Sequence, residues 1–380
     1  MGDARVKKYA QIAGWGMYAP PKVLTNQDLE KMVDTSDEWI RRRVGICERH
    51  ICAPGEATAG MATKAARAAI EVADVSPSKL DLIMVATVTP DYQFPAAASI
   101  VQDALGASRA AAFDLNAGCA GFVYGLYLGL GMISSELYSN VLVIGSDTLS
   151  RITDFQDRGT AVLFGDGAGA VLLSPSEQPT GIISCVLGSD GSGAEALLVP
   201  AGGSRRPATI ETVQNRQHFI RMNGAEVYRF AVNAMARGAR QAVQMAGLQM
   251  DDIKLVIPHQ ANIRIMEAAA KALKLRPDQM YCNVERYGNT SAATIPIALC
   301  EAIAEGRVKP GDHLVFVGFG AGLTWAAAVV QWGAPARATP APWWRTVLHD
   351  LRGREAAVRS LTLRTRRRLD SLRNSNGHSD

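Results

Sequence analysis

The sequence predicts an α/β fold built from two similar halves. Three observations carry that prediction: short, continuous apolar runs alternate with segments of helical length, the second half echoes the first at an offset of about 170 residues, and two glycine runs fall between strands. A chain of 380 residues has ample length for two ordinary domains or one large α/β unit.

In order along the chain, Tyr9 to Gly16 reads as a strand, and Thr25-Asn26-Gln27-Asp28 supplies capping chemistry for a short helix. Asp34-Thr35-Ser36-Asp37 caps a second helix, which ends in Arg41-Arg42-Arg43. Three arginines there complement the helix dipole, form a solvated face or, beside Trp39, clamp a phosphorylated aromatic ligand. An alanine-rich helix over Thr58 to Val72 precedes the strand Leu82 to Val88, whose unbroken apolar character implies burial on both faces. Phe94 follows on a proline-flanked loop, where a bulky aromatic packs locally or plugs a pocket or partner surface. Ala110 to Leu115 has the character of a buried strand and leads through Asn116 and Gly118 to a helix beginning near Cys119.

Beyond Val141 to Ile144, Gly165 to Ala170 superficially matches a dinucleotide-binding loop, as does Gly318 to Gly322. Strand-like segments follow both, so each glycine run is expected to be a turn between strands. Residues 188–216, rich in Gly, Ser and Pro, predict a surface excursion, and Asn223 to Ala246 a long amphipathic helix. Then the pattern repeats. Asp252 to Pro258 answers Leu80 to Ala86, Tyr281 to Ala292 answers Phe113 to Phe122, and His313 to Val317 answers Asn140 to Ile144. The division expected is 1–180 for the first half, 181–333 for the second, and 334–380 for an extension.

Composition is that of an enzyme rather than a fibrous or disordered chain. The net charge of +4 is uneven: residues 334–380 hold ten arginines and four acidic residues, which leaves the body near −2, and no nucleic-acid partner is expected. Six cysteines form no CxxC pair and no metal-ligand spacing, and the opening residues have no apolar signal core. These features fit a reducing cytoplasm without a bound metal. The longest apolar run, Ala120 to Ile133, is shorter than the roughly 20 residues that span a bilayer.

The chemistry centres on Cys119. At a helix start, unpaired N–H groups and the helix dipole favour a thiolate, and the neighbouring glycines admit a substrate. Taken singly, a cysteine is more often a small buried hydrophobe, a histidine a surface or satisfied core group, and a Gly-Asn pair a turn. His50, His218, His313, His349 and His378 are read in that plain way. The joint occurrence of Cys119, Pro258-His259-Gln260-Ala261-Asn262, Gly288-Asn289-Thr290-Ser291-Ala292-Ala293-Thr294 and Gly318-Phe319-Gly320-Ala321-Gly322-Leu323-Thr324-Trp325 points elsewhere.

With these motifs the chain resembles the thiolase-like condensing enzymes, most closely the β-ketoacyl-acyl-carrier-protein synthase III family, over roughly residues 9–333. The resemblance implies a layered α-β-α-β-α arrangement with two mixed sheets. It also implies an acyl-enzyme on Cys119, with backbone N–H groups of Cys119 and Ala321 holding the oxyanion. His259 and Asn289 would be neutral donors to the enolate formed when a malonyl thioester loses carbon dioxide. Acyl-coenzyme A is then a substrate, malonyl-acyl-carrier protein the second substrate, and no cofactor is resident.

By the same resemblance Trp39 and Arg158 sandwich adenine and Arg43 contacts phosphate or ribose. Gly159, Gly224, Tyr228 and Asn262 line the pantetheine arm, with Tyr228 where the family often has phenylalanine. Phe94 matches an aromatic that crosses a homodimer to close the neighbour's acyl pocket. Arg229, Arg264, Lys271 and Lys274 are placed to dock an acidic carrier protein, the last three on one face of the helix after His259.

Residues 334–380 depart from the family, as an alanine and proline linker and then Trp344, Val347, Leu348, Leu351, Val358 and Leu361 at helical spacing. They form an amphipathic helix for an anionic membrane or partner, or a poorly ordered appendage. Rival readings are an acyltransferase or condensing enzyme of secondary metabolism, a papain-like protease, whose cysteine motif is lacking, and a non-enzymatic scaffold.

Overall fold

A computed structural model describes residues 9–333, Leu351, Val358 and residues 360–367. The first half begins with β1 (Tyr9–Tyr18) and β2 (Val23–Thr25). Thr25 then caps α1 (Asn26–Glu30) in a full capping box with Asp28, and Ser36 caps α2 (Asp37–Val44). β3 (Glu48–His50), α3 (Thr58–Val72), β4 (Leu82–Ala86), α4 (Ala97–Leu105) and β5 (Ala111–Leu115) follow. α5 (Gly121–Ser134), β6 (Val141–Thr148), α6 (Arg158–Ala161) and β7 (Asp166–Ser176) complete it.

The second half runs β8 (Gly181–Ser189), β9 (Leu197–Leu198), α7 (Ile210–Gln214), β10 (Arg221–Met222) and α8 (Gly224–Met245). It continues through β11 (Leu255–Pro258), α9 (Ile263–Leu273), α10 (Val284–Tyr287), α11 (Thr294–Ala304), β12 (His313–Gly320) and β13 (Thr324–Gln331).

Two mixed sheets result, in the orders β1-β7-β6-β4-β5 and β8-β13-β12-β11. Four strands of the first order correspond to the four of the second: β4 and β6 pair in parallel as β11 and β12 do, β7 and β13 join them antiparallel, and β1 and β8 follow. Alternate residues of each central strand enter different layers because side chains alternate across a sheet. Leu82, Met84, Val141 and Val143 meet Leu314 and Phe316 in a middle layer filled by α5 and α11. Ile83, Val85, Leu142 and Ile144 face outward under α3 and α4, and Val256, Val315 and Val317 pack under α8 and α9. The layers are therefore α-β-α-β-α.

Two expectations need correction. Ala111 and Phe113 of β5 are exposed, because β5 is the edge of the first sheet and only β4 pairs with it among the described residues. In the second half, the counterpart of β5 shrinks to a single bridge between Val256 and Met280. The Gln260 side chain takes over the backbone there, donating to Tyr281 O at 3.2 Å and accepting from Asn283 N at 3.0 Å.

Of the extension, Leu351, Val358 and residues 360–367 are helical, with Leu351, Val358 and Leu361 exposed; Trp344, Val347 and Leu348 lie outside the described residues. Ser360 donates to Asp103 of α4 at 2.6 Å and Arg364 pairs with the same carboxylate at 2.8 Å. Among the described residues no helix is long and apolar enough to cross a membrane.

Candidate active site

Cys119 lies on the turn between β5 and α5, one residue before the N-cap Ala120. The turn from β12 to β13 packs directly against it. A Cβ on Gly118 would stand 2.7 Å from Ala321 N, and one on Gly320 would stand 2.4 Å from Cys119 N. Only glycine at both positions lets the two backbones approach this closely, and Gly118 also needs it for its φ of +55°. The backbones at Cys119 and Ala321 thereby pack against each other, and Thr324 Oγ1 fastens the two turns by donating to Ala117 O at 2.8 Å.

Burial raises the Cys119 thiol to about 12, outweighing the lowering by the Ser291 hydroxyl, while the negative Asp147 nearby raises it further. Cys119 thus stands at the start of α5 as expected, where burial opposes the thiolate that the helix end favours. Desolvation opposes the charged form more strongly than a dipole end supports it.

His259 follows β11 directly, and its backbone N–H bonds Val317 O of β12 at 2.8 Å. The ring is 1 % exposed, meets Phe319 edge-on at 5.1 Å and places Nδ1 2.7 Å from Thr294 Oγ1. Burial lowers its pKa to about 3, so the imidazole is neutral near pH 7. Asn289 is stitched to the first half, its N–H donating to Leu163 O at 2.9 Å and its C=O accepting from Gly165 N at 3.0 Å. Its Oδ1 accepts from Ser291 N at 2.8 Å. Because that partner is a donor, the amide orientation is determined, and the NH2 is what Asn289 offers its surroundings.

Cys119, His259, Asn289 and Ala321 line one cavity of about 1070 Å3. Its outer walls carry Trp39, Arg43, Arg158, Gly159, Gly224, Tyr228 and Asn262, together with Arg229 and Arg264. The Arg158 guanidinium lies over the Trp39 ring at 5.1 Å, tethered to Asp34 O at 3.2 Å. Arg229, Arg264, Lys271 and Lys274 are exposed, but Lys271 and Lys274 stand away from the cavity wall, and Lys274 is the left-handed C-cap of α9 rather than part of its helical face. Phe94 is 86 % exposed and does not line its own chain's cavity.

Sequence reasoning passed over Thr294, Ser291 and Asp147. The first two stand inside the quoted Gly288–Thr294 motif, so their proximity to His259 and Asn289 was available there. Asp147, at the end of β6, carries no local signal.

Two duplicated halves whose loops share one such cavity define a thiolase-like fold. Residues 113–191 match the family model described as 3-oxoacyl-[acyl-carrier-protein (ACP)] synthase III, and residues 243–332 match the model of its C-terminal part. A β-ketoacyl-[acyl-carrier-protein] synthase III of Symbiobacterium thermophilum is 54% identical over 322 residues, covering 85% of this chain and 98% of the relative. One of Roseiflexus castenholzii is 51% identical over 326 residues, with 86% and 99% covered. The crystal structure of 3-oxoacyl-[acyl-carrier-protein] synthase III from Aquifex aeolicus superposes with a TM-score of 0.79 at 44% identity, covering 85% of this chain and all of that one. The chain belongs to the β-ketoacyl-[acyl-carrier-protein] synthase III family.

Proposed function

We propose that the chain condenses an acyl-coenzyme A with malonyl-acyl-carrier protein, releasing carbon dioxide and giving the β-ketoacyl-carrier protein that starts a fatty-acid chain. The observation that carries this reading is the close packing of the Cys119 and Ala321 turns in a cavity shared with a neutral histidine and an amide. In the first stage the Cys119 sulfur attacks the thioester carbon, the two N–H groups hold the oxyanion, and coenzyme A leaves. In the second, His259 and Asn289 donate to the thioester oxygen of the malonyl group as carbon dioxide departs, and the resulting carbanion attacks the acyl-enzyme.

Donation by His259 requires the hydrogen on Nε2, hence Nδ1 as acceptor and Thr294 as donor to it. The Thr294 hydroxyl has a competing acceptor in Ser291 O at 3.0 Å. Neither donor is charged, so no counter-ion must be stripped from the site as the enolate forms.

Acyl-coenzyme A enters as substrate rather than as a resident cofactor. Trp39 and Arg158 would take its adenine, Arg43 a phosphate or ribose, and Gly159, Gly224, Tyr228 and Asn262 its pantetheine arm. A homodimer is supported by the open edge of β5 and by exposed Phe94 and Tyr92, with Phe94 then closing the partner's acyl pocket. Exposed Arg229, Arg264, Lys271 and Lys274 suit an acidic carrier protein. Six free cysteines fit a cytoplasmic setting. Membrane contact through the C-terminal helix is supported by exposed Leu361 and Leu363 beside Arg364.

The test is to incubate the protein with labelled acetyl-, isobutyryl- and longer acyl-coenzyme A, then to add malonyl-carrier protein. Acylation of Cys119 followed by carbon dioxide and ketoacyl product is expected. Acylation without carbon dioxide would point to a plain acyltransferase.

A further inference from the structure

The Cys119 thiol must lose a proton to become a nucleophile, and the groups named so far do not take it. His259 is fully buried and neutral, and its Nδ1 is occupied by Thr294. Behind the cavity wall stands a carboxylate that the proposed reaction leaves unused. Asp147, 0 % exposed at the end of β6, takes four hydrogen bonds on Oδ1: from Thr87 Oγ1 at 2.9 Å, Val88 N at 2.8 Å, Thr89 N at 3.2 Å and Thr89 Oγ1 at 2.9 Å. Thr87 Oγ1 itself accepts from Thr89 N, and Thr89 Oγ1 from Thr148 N, so both hydroxyl hydrogens are directed to Asp147. Oδ2 is different. Among the described residues it takes one long bond, from Ala292 N at 3.4 Å, which leaves room for a stronger donor.

The neighbour of Ala292 is Ser291, 1 % exposed, which also lines the cavity with Cys119. Its hydroxyl is buried and completes no hydrogen bond among the described residues. An orphaned buried hydroxyl is costly to keep, so its retention calls for an explanation. Ser291 also holds a φ of +53°, an unfavourable conformation for a residue with a side chain. The backbone is locked in that shape: Ser291 N donates to Asn289 Oδ1, and Gly145 of β6 abuts Ala292 O so closely that a Cβ would stand 2.1 Å away.

We propose that Ser291 is a further catalytic residue, whose hydroxyl carries the Cys119 proton to Asp147 when the acyl-enzyme forms and returns it when the acyl group leaves. The Ser291 hydroxyl is near enough to both groups to act on each: after burial it is the largest influence on the Cys119 thiol and on the Asp147 carboxyl, and it lowers the pKa of both.

The proposal rests on the acyl-enzyme reading above, and its steps balance. In acylation the S–H bond breaks, its proton passes to Ser291 Oγ, and the Ser291 proton passes to Asp147 Oδ2. The S–C bond forms, and coenzyme A leaves with its electron pair as a thiolate. During condensation Asp147 holds the proton, so no buried carboxylate faces the developing enolate. When the carbanion displaces Cys119, the departing thiolate recovers the proton along the reverse path. Burial raises the pKa of Asp147, which suits a group that spends half the cycle protonated.

The test compares the full-length wild type with Ser291→Ala, Ser291→Gly and Asp147→Asn. Single-turnover acylation of Cys119 by an acyl-coenzyme A is followed by mass spectrometry, and alkylation by iodoacetamide as a function of pH. Acylation is expected to slow roughly 10²-fold in all three variants, the scale of a lost acid–base group. For Asp147→Asn the two readouts should part, because losing a nearby negative charge moves the alkylation midpoint to lower pH while acylation slows. A structural role would slow both together and overturn the relay, as would wild-type acylation rates in Ser291→Ala or Asp147→Asn. Ser291→Gly relieves the left-handed backbone, so it carries the test if Asp147→Asn does not fold. Failure of the wild type to acylate at Cys119 would instead refute the acyl-enzyme reading itself.

Discussion

His259 Nδ1 and Thr294 Oγ1 lie 2.7 Å apart, and this one contact governs which ring nitrogen faces the cavity. Thr294 begins α11, so a helix start in the second half fixes the ring orientation of a histidine delivered by β11. Thr294→Val keeps the shape and removes the donor. Decarboxylation of malonyl-carrier protein should then fall roughly 10²-fold, the scale of one acid–base group, while acylation of Cys119 stays near wild type. Stopped-flow release of carbon dioxide measured beside single-turnover acylation checks this, and equal losses in both would contradict it.

The close approach at Gly118 gives a second prediction. Gly118→Ala adds a methyl where Ala321 N would be 2.7 Å away and also strains a positive φ. The turn must shift, and the paired N–H groups part. Acylation should drop by roughly 10²–10³-fold, as for the loss of one oxyanion donor, with the affinity for acyl-coenzyme A little changed. Isothermal titration and single-turnover kinetics separate the two quantities.

Arg158 over Trp39 predicts a binding defect. The guanidinium is 5.1 Å from the ring, whereas a flat ring between them needs about 7 Å, twice an ordinary carbon contact, so Arg158 must swing outward to sandwich adenine. Arg158→Ala should raise KM for acyl-coenzyme A roughly tenfold and leave kcat nearly unchanged, in line with a lost cation–π contact. A fall in kcat with constant KM would be the contrary result.

Acid should destabilise the fold through His259. Its folded pKa, about 3, lies below the usual 6.5, so between these values the unfolded chain binds a proton that the folded one refuses. The contribution is fully present above about pH 6.5 and is lost as pH falls toward 3. The slope approaches about 1.4 kcal/mol per pH unit from this group. Urea melts of wild type and His259→Gln at pH 7 and pH 5 check the sign: the wild type should lose more stability than the variant.

The strands and helix starts were legible in the sequence because both depend on local pattern, whereas the layering and the cavity's lining residues came through the family resemblance. Continuous apolar runs betray strands buried on two faces, as at Leu82 and Val141, and capping residues such as Thr25, Ser36 and Asn223 mark helix starts. Its failures arose where neighbours in space decide. Ala111 and Phe113 are as apolar as a buried strand requires, yet on an edge strand nothing among the described residues covers them. The pKa of Cys119 depends on total burial, which no dipeptide reports. Asp147 looks like any aspartate in a strand and becomes distinctive only when Thr87, Thr89 and Ala292 are folded around it.

The open edge of β5 also bears on how a newly made chain survives. Among the described residues, its side away from β4 presents a row of unpaired peptide groups, and the sole charged side chain of the strand does not shield it. Asp114 is spent on the first turn of α4, accepting from Ala97 N at 2.7 Å and Ala98 N at 2.8 Å. An uncharged, partly apolar edge is a template for any extended segment that meets it. Solubility during synthesis is therefore a race, set by how quickly that edge is covered rather than by how deeply the core is packed.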